Sequence, residues 1–311
     1  MTIEKPMNSI ENKNETETLV FGGTLGDAFI VLCKLYSQHK KYGTRFRLIR
    51  YDLFPQYDQA ISDMFKMVPC IEYLSPCRVY VSIPDLISAI KQCPHKYINT
   101  KWHKDDLETY PLDYDSLDPF PEIAPIMPSM ERSKIAIGIQ LYCGATGHNF
   151  RGFSLAWLKK LRKHFPANEY ILYLIGKGNG CYNVSSIENI CRENDILNKL
   201  DTTSFSEWLG FIKSMDYFVS FEGLSAFYAM SQRIRTLMYN QQQYAHHVHG
   251  SIHPFWKNNS LIININTNAI KRKLRYMFLK NNIYNPKIPF DFFCNAKDVK
   301  TSELGIIKQI L

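Results

Sequence analysis

LVFGGTLGDAFIVLCKLYSQHKKYGTRFRLIRYD, residues 19–52, decides the fold. An apolar run, Leu19 to Phe21, ends in two glycines. An apolar-periodic stretch then runs from Ala28 to Gly43, and RFRLIRYD (45–52) opens a second alternating segment. A strand, a glycine-containing turn, a helix closed by glycine and a further strand make one strand–helix–strand unit. Shorter elements are predicted beyond it: a helix near 56–67, strands near 70–74 and 78–82, and a helix near 84–92 started by Pro84 and Asp85.

PFPEIAPIMPSMERS (119–133) then packs Pro119, Pro121, Pro125 and Pro128 together, removing backbone donors and fixing φ repeatedly, so it reads as a linker. A second series starts at once, with a strand at 134–142, a helix at 154–165, a strand at 170–176 and a helix around 185–194. A helix at 204–215, a strand at 217–221, a helix at 223–232 and a strand at 235–239 follow. Strands alternating with helices at this spacing predict mostly parallel, doubly wound sheets. The fold class is therefore α/β, two Rossmann-like doubly wound domains facing across a cleft. The expected division is a disordered tail at 1–17, an N-terminal domain at 18–118, the linker at 119–133, a C-terminal domain at 134–267, and a C-terminal helix and tail at 268–311.

The composition agrees with a globular chain: 311 residues, 45% hydrophobic, 14% aromatic and 21% charged, which excludes disorder or coiled coil for most of the length. No apolar stretch reaches the roughly 20 residues of a membrane span, and the polar first residues lack a signal-peptide core. A cytoplasmic protein is expected, at the inner face of a membrane in one reading. The eight cysteines (33, 70, 77, 93, 143, 181, 191 and 294) form no CxxC pair and read as buried thiols. Cys70, Cys77 and Cys93 would gather a metal only if the fold assembled them.

The net charge of +8 is concentrated. From Gly223 to Phe290 there is no acid, while nine Lys and Arg residues lie there, a plausible electrostatic seat for an anion. The acidic stretch from Lys104 to Glu122 reads instead as an exposed loop, and its Asp113-Tyr-Asp115 is not preceded by a strand that would make it a metal-binding DxD. His246, His247, His249 and His253 read as a polar surface or acceptor rim rather than a metal site.

Three strand-to-helix loops carry the chemistry, because there ligands meet helix N-termini. Gly22-Gly23-Thr24-Leu25-Gly26-Asp27 lacks the GxGxxG and GK[ST] patterns. It offers a carboxylate at a helix start, on a turn where Gly23, Thr24 and Gly26 let a substrate approach; Asp27 as a simple helix cap is the competing reading. In the loop 144–152, Thr146 and Arg151 suit a diphosphate. The third loop places Glu222 at a strand end, where it can accept ribose hydroxyls, with the amides of Gly223, Leu224 and Ser225 opening the next helix.

These loops, in this order, resemble glycosyltransferase family nine, the heptosyltransferase-like enzymes of the GT-B fold. The resemblance implies that Asp27 in TLGDAF is the general base, that Thr146 and Arg151 in GATGHNFRGFSLAWLKKL hold the donor diphosphate, and that Glu222, Gly223, Leu224 and Ser225 complete the donor site. Ala226 stands where the family usually carries His, and Gly152-Phe153 where it usually has Trp-Pro. The resemblance implies an inverting transfer of a sugar from a nucleoside-diphosphate donor, ADP-heptose-like or another, to a hydroxyl of a glycan, lipid-linked or protein acceptor. The first domain would serve the acceptor and the second the nucleotide sugar.

No metal or other cofactor is expected, the nucleotide sugar being a substrate, and no nucleic acid, since no nucleic-acid motif accompanies the basic run. The helix near 268–281 is expected to cross back to the first domain, with contact to an anionic membrane surface as its second reading. The competing function is a non-catalytic or differently tasked GT-B protein, a sugar-nucleotide epimerase or a glycan-binding relative.

Overall fold

The computed structural model describes residues 16–52, 55–80, 82–102, 104–117, 121–130, 133–143, 151–153, 155–176, 184–241 and 260–265. The first half is β1 (Thr16–Phe21), α1 (Leu25–Tyr42), β2 (Arg45–Asp52), α2 (Asp58–Lys66), β3 (Ile71–Val79), α3 (Ile83–Gln92) and β4 (Lys96–Tyr97). Its four strands are all parallel, in the order β3-β2-β1-β4. β1 takes in Thr16 and Glu17, which the sequence reading assigned to the tail.

α1 is buried along most of its length, from Gly26 and Ala28 to Gln38, and so joins the core rather than lying on it. It stops where Gly43 turns left-handed at φ 73° and its amide closes on the carbonyl of His39 at 2.7 Å. α3 starts as its sequence predicts, with Ser82 accepting from the amide of Asp85 and a proline in the first turn. One expectation fails. The two strands predicted around Ser75-Pro76 are a single strand, β3, whose register against β2 shifts between Ile49 and Tyr51. β3 is the edge of its sheet, where a residue without an N–H can sit at a bulge without breaking an interior ladder.

After the extended stretch 121–130 come β5 (Ile135–Gln140), β6 (Tyr142–Cys143), β7 (Arg151–Gly152), α4 (Leu155–His164), β8 (Tyr170–Gly176), α5 (Val184–Glu193) and β9 (Ile196–Leu200). The chain goes on through α6 (Phe205–Lys213), β10 (Tyr217–Phe221), α7 (Leu224–Ser231), β11 (Arg235–Gln241) and β12 (Ser260–Ile265). Six parallel strands lie in the order β12-β11-β10-β5-β8-β9. Counted from β5 along the chain, this is the doubly wound order 3-2-1-4-5-6. β9 and β12 were not anticipated, and neither was the small antiparallel hairpin of β6 and β7.

The two halves share one apolar core, which runs from Phe29, Phe46 and Phe65 through Tyr173, Leu209 and Ile212 to Phe227 and Met230. The 121–130 stretch lies against α6: the amide of Ile126 donates to Ser206 Oγ at 2.9 Å. A Cβ at Gly210 would fall 1.9 Å from the carbonyl oxygen of Ile126, so only glycine admits the crossing there. Among the described residues no helix is long and apolar enough to cross a membrane.

Candidate functional site

In a doubly wound sheet the ligand crevice lies where the strand order reverses, beyond the carboxyl ends of the two strands that flank the reversal. In the first sheet these are β1 and β4; in the second, β5 and β10. The Gly22–Asp27 loop leaves β1, the 141–153 segment leaves β5, and Glu222 leaves β10. Topology alone therefore sets all three sequence-selected loops at switch points.

The first loop is tightly determined. A Cβ on Gly22 would meet the carbonyl oxygen of Tyr51 at 2.8 Å. Gly23 has φ +113°, and a Cβ there would lie 2.6–2.9 Å from the Asp27 side chain, which folds back over it. Asp27 Oδ2 accepts from the amide of Thr24 at 2.7 Å and from its hydroxyl at 2.9 Å. The carboxylate thus caps α1 from the third helical position, as the competing reading anticipated. It also stands half-buried in the loop that faces the second domain.

The third loop meets the first. An ideal Cβ at Gly26 would lie 3.2 Å from the amide nitrogen of Leu224 and 3.4 Å from the carbonyl carbon of Gly223. One turn further on, Phe29 packs edge-to-face on Tyr228 with centroids 6.0 Å apart. Both contacts advance in the same chain direction, so α1 and α7 run parallel with their N-termini at one end. Two partial positive ends converge there, together with the carboxylate-bearing residues Asp27 and Glu222. Gly223 holds φ +152° and ψ −173°, a conformation open essentially to glycine alone, and caps α7. Ser225 is buried, its hydroxyl 3.0 Å from that of Ser220, so that oxygen serves the β10–α7 junction. Glu222 is half-buried and its amide donates to the carbonyl of Tyr239 at 3.0 Å.

Of the second loop, Thr146 and residues 144–150 lie outside the described residues, as does the Arg151 side chain. The loop's base is visible: Cys143 pairs with Arg151 and Tyr142 with Gly152, so the segment is a hairpin rather than a plain strand-to-helix turn. Beneath it Phe153 stacks on Trp157 at 4.0 Å and packs against Phe221 and Tyr239, tying the hairpin to the end of β10.

Two buried charge clusters escaped the sequence reading. Arg50 is fully buried; its Nε donates to the carbonyl of Gly23 at 3.2 Å, and its Nη1 lies 3.6 Å from Asp58. Period-two alternation along RFRLIRYD would have found it, because Arg50 shares the inward face of Phe46 and Leu48. Lys34, two turns along α1 from Asp27, is also fully buried. It donates to the backbone and side-chain oxygens of Asn99 at 2.9 and 3.0 Å and stands 3.7 Å from Glu108. Glu108 accepts in turn from Asn99 and from the Tyr114 hydroxyl. The acidic stretch 104–122 is therefore not simply an exposed loop: Glu108, Tyr110 and Leu117 are buried, while Asp113 pairs at the surface with Lys41.

The histidine cluster at 246–253 and the expected helix near 268–281 lie outside the described residues. Cys33, Cys70 and Cys191 are buried free thiols. Among the described residues no three His, Cys, Asp or Glu side chains form a metal-holding group.

No family model and no curated protein sequence matches the chain. Solved structures do. The iron-containing dodecameric glycosyltransferase TibC of enterotoxigenic E. coli matches with a TM-score of 0.53 at 11% identity, over 94% of this chain and 76% of its own. A family 9 glycosyl transferase of Veillonella parvula matches at 0.53 and 10%, over 95% and 98% of the two chains. E. coli heptosyltransferase WaaC, solved with ADP, matches at 0.53 and 9%, over 86% and 99%. The chain has the heptosyltransferase-like GT-B fold. At such identities the likeness is one of architecture, and the GT-B chain's own residues have to carry any statement about chemistry.

Proposed function

We propose that this GT-B protein is an inverting glycosyltransferase that moves a sugar from a nucleoside diphosphate, ADP-heptose-like or another, to a hydroxyl of a glycan, lipid-linked or protein acceptor. One observation carries the reading: Gly26 abuts the Gly223–Leu224 peptide, so the Asp27 loop of one sheet and the Glu222 turn of the other share a single crevice end. In the reaction Asp27 takes the proton from the acceptor hydroxyl as its oxygen attacks the anomeric carbon. Gly23, Thr24 and Gly26 let that substrate approach the backbone. Glu222 accepts the ribose hydroxyls, while Thr146, Arg151 and the helix end at Gly223, Leu224 and Ser225 stabilise charge developing on the leaving diphosphate. With the Arg151 charge and a helix terminus for that diphosphate, the transfer is proposed to proceed without a bound metal or other cofactor.

A non-catalytic or differently tasked GT-B protein is favoured by one feature, the commitment of Asp27 Oδ2 to two capping bonds. Both readings keep the nucleotide, so calorimetry with nucleoside diphosphates tests the site they share. Arg151→Ala is expected to weaken binding about 10- to 150-fold, the loss of one charge-assisted hydrogen bond. Glu222→Gln should weaken nucleotides while leaving free pyrophosphate unaffected. Parent-like nucleotide affinity in both variants would remove the donor from this crevice.

A further inference from the structure

The Gly22–Asp27 loop is held from behind by a charge. Arg50 stands level with Phe21 in the parallel β1–β2 ladder, fully buried. A guanidinium does not shed its proton in a protein, so its burial requires partners. Among its partners are the carbonyl oxygen of Gly23 at 3.2 Å and Asp58 Oδ1 at 3.6 Å, the latter also accepting from the Tyr73 hydroxyl.

The geometry of the next bond gives this contact its meaning. The carbonyl of Gly23 and the amide of Thr24 belong to one planar peptide group. That amide donates to Asp27 Oδ2 at 2.7 Å. Arg50 thus grips one end of a peptide whose other end grips the Asp27 carboxylate. Hydrogen bonds in such a chain polarise one another, so the guanidinium makes the Thr24 N–H a better donor. It also fixes the plane of a peptide that follows a residue at φ +113°, where glycine supplies no steric restraint of its own.

We propose that Arg50 is the positioning residue of Asp27: acting through the Gly23–Thr24 peptide, it fixes the orientation of the carboxylate and favours its charged form. Among the described residues, the charged or titratable groups that neighbouring elements bring to this loop include Arg50 from β2, Asp58 from α2, Tyr73 from β3 and, across the seam, Glu222 ahead of α7. Burial, reinforced by the hydrogen bond to Asp58, pushes the Tyr73 phenol far above its ordinary range, so it stays neutral here. Arg50 then matters to catalysis on the reading of Asp27 as base, but the placement of the carboxylate can be read without any substrate.

The test is a 13C NMR titration of aspartate carboxyls in the full chain, with the Asp27 signal assigned by its loss in Asp27→Asn. Arg50→Met removes the charge at similar length and is expected to raise the Asp27 midpoint by about one pH unit, the scale on which a weakened hydrogen bond to the charged form shifts a carboxyl. Asp58→Asn removes the counter-charge and leaves the guanidinium, and is expected to lower the midpoint. A loop merely loosened would move both variants the same way. Opposite signs support the proposal; an unmoved midpoint in Arg50→Met, or a rise in both variants, overturns it. Should Arg50→Met fail to fold, Asp58→Asn decides alone, with a lowered midpoint in support and a raised or unmoved one against. If the proposal fails here, the glycosyltransferase reading still stands or falls separately, on the turnover of Asp27→Asn.

Discussion

Asp27→Asn is expected to lower turnover about 10²-fold or more while the chain keeps its fold and its donor affinity. The substitution suits this site because of what Asp27 does structurally. Its Oδ2 accepts from the amide and the hydroxyl of Thr24, and the carboxamide oxygen of asparagine can accept both bonds. The size of the side chain, packed over Gly23, also stays the same. The cap survives, and what disappears is the capacity to take a proton. Steady-state rates together with a thermal melt separate the roles: a fallen rate with an unchanged melting temperature identifies the base. A fallen melting temperature with normal activity per folded molecule would leave Asp27 as a cap alone.

The second large effect concerns stability. Lys34→Met should cost about 3–5 kcal/mol, because it strands the Glu108 carboxylate in the core without its cation. Burial pushes the Glu108 carboxyl up from 4.5 to about 7 and the Lys34 ammonium down from 10.5 to about 8, and each group's charge partly offsets the other's shift. For Glu108, whose folded value lies above its ordinary one, the unfolded chain loses its proton first. Its contribution is therefore complete below pH 4.5 and declines as the pH rises towards 7. For Lys34 the unfolded chain binds more protons between pH 8 and 10.5, so stability recovers across that window.

In Lys34→Met the deficit relative to the parent should be smallest near pH 5, where Glu108 is already protonated. It should widen through neutrality, where an unpaired carboxylate has to be charged or to hold its proton against the solution. Urea melts at several pH values read this out, and Lys34→Met/Glu108→Gln should regain part of the loss because the carboxamide still accepts from Tyr114 and Asn99. A deficit independent of pH would show that Lys34 acts through packing alone.

Segments with a clear alternation or apolar run were legible in the sequence: 45–52, 170–176 and 217–221 are strands with those bounds. ILNKL (196–200) was passed over because it is short, with Asn and Lys at its centre, and becomes a strand only because β8 offers it an edge. SLIINI (260–265) does carry a continuous apolar core and could have been read, with β11 as its partner. Glycine positions transferred well from sequence to site. Gly23, Gly26 and Gly223 each mark a positive φ or a backbone approach, features that glycine alone tolerates and that sequence therefore advertises.

Buried charge transferred badly. Glu108 was counted with its acidic neighbours as exposed, because a partner as distant in the chain as Lys34 is invisible to local pattern; Arg50 lies on the inward face of an alternation that was read only as a strand. The Asp27 carboxylate posed the opposite difficulty. Its capping role and its candidate catalytic role ask for the same residue at the same place, and no spacing rule separates them.

The seam between the halves has a mechanical consequence. At Gly26 and Gly223 main chain rests on main chain, and neither residue has a side chain to interlock; the ring pair Phe29 and Tyr228 sits a turn deeper. A joint of this kind acts as a fulcrum beside the candidate site. Any rocking of one half on the other that preserves it swings the outer rims through the longest arcs and leaves Asp27 and Glu222 nearly still. On the proposed glycosyltransferase reading, substrates enter and products leave by movement at the rim while the residues at the seam keep their places.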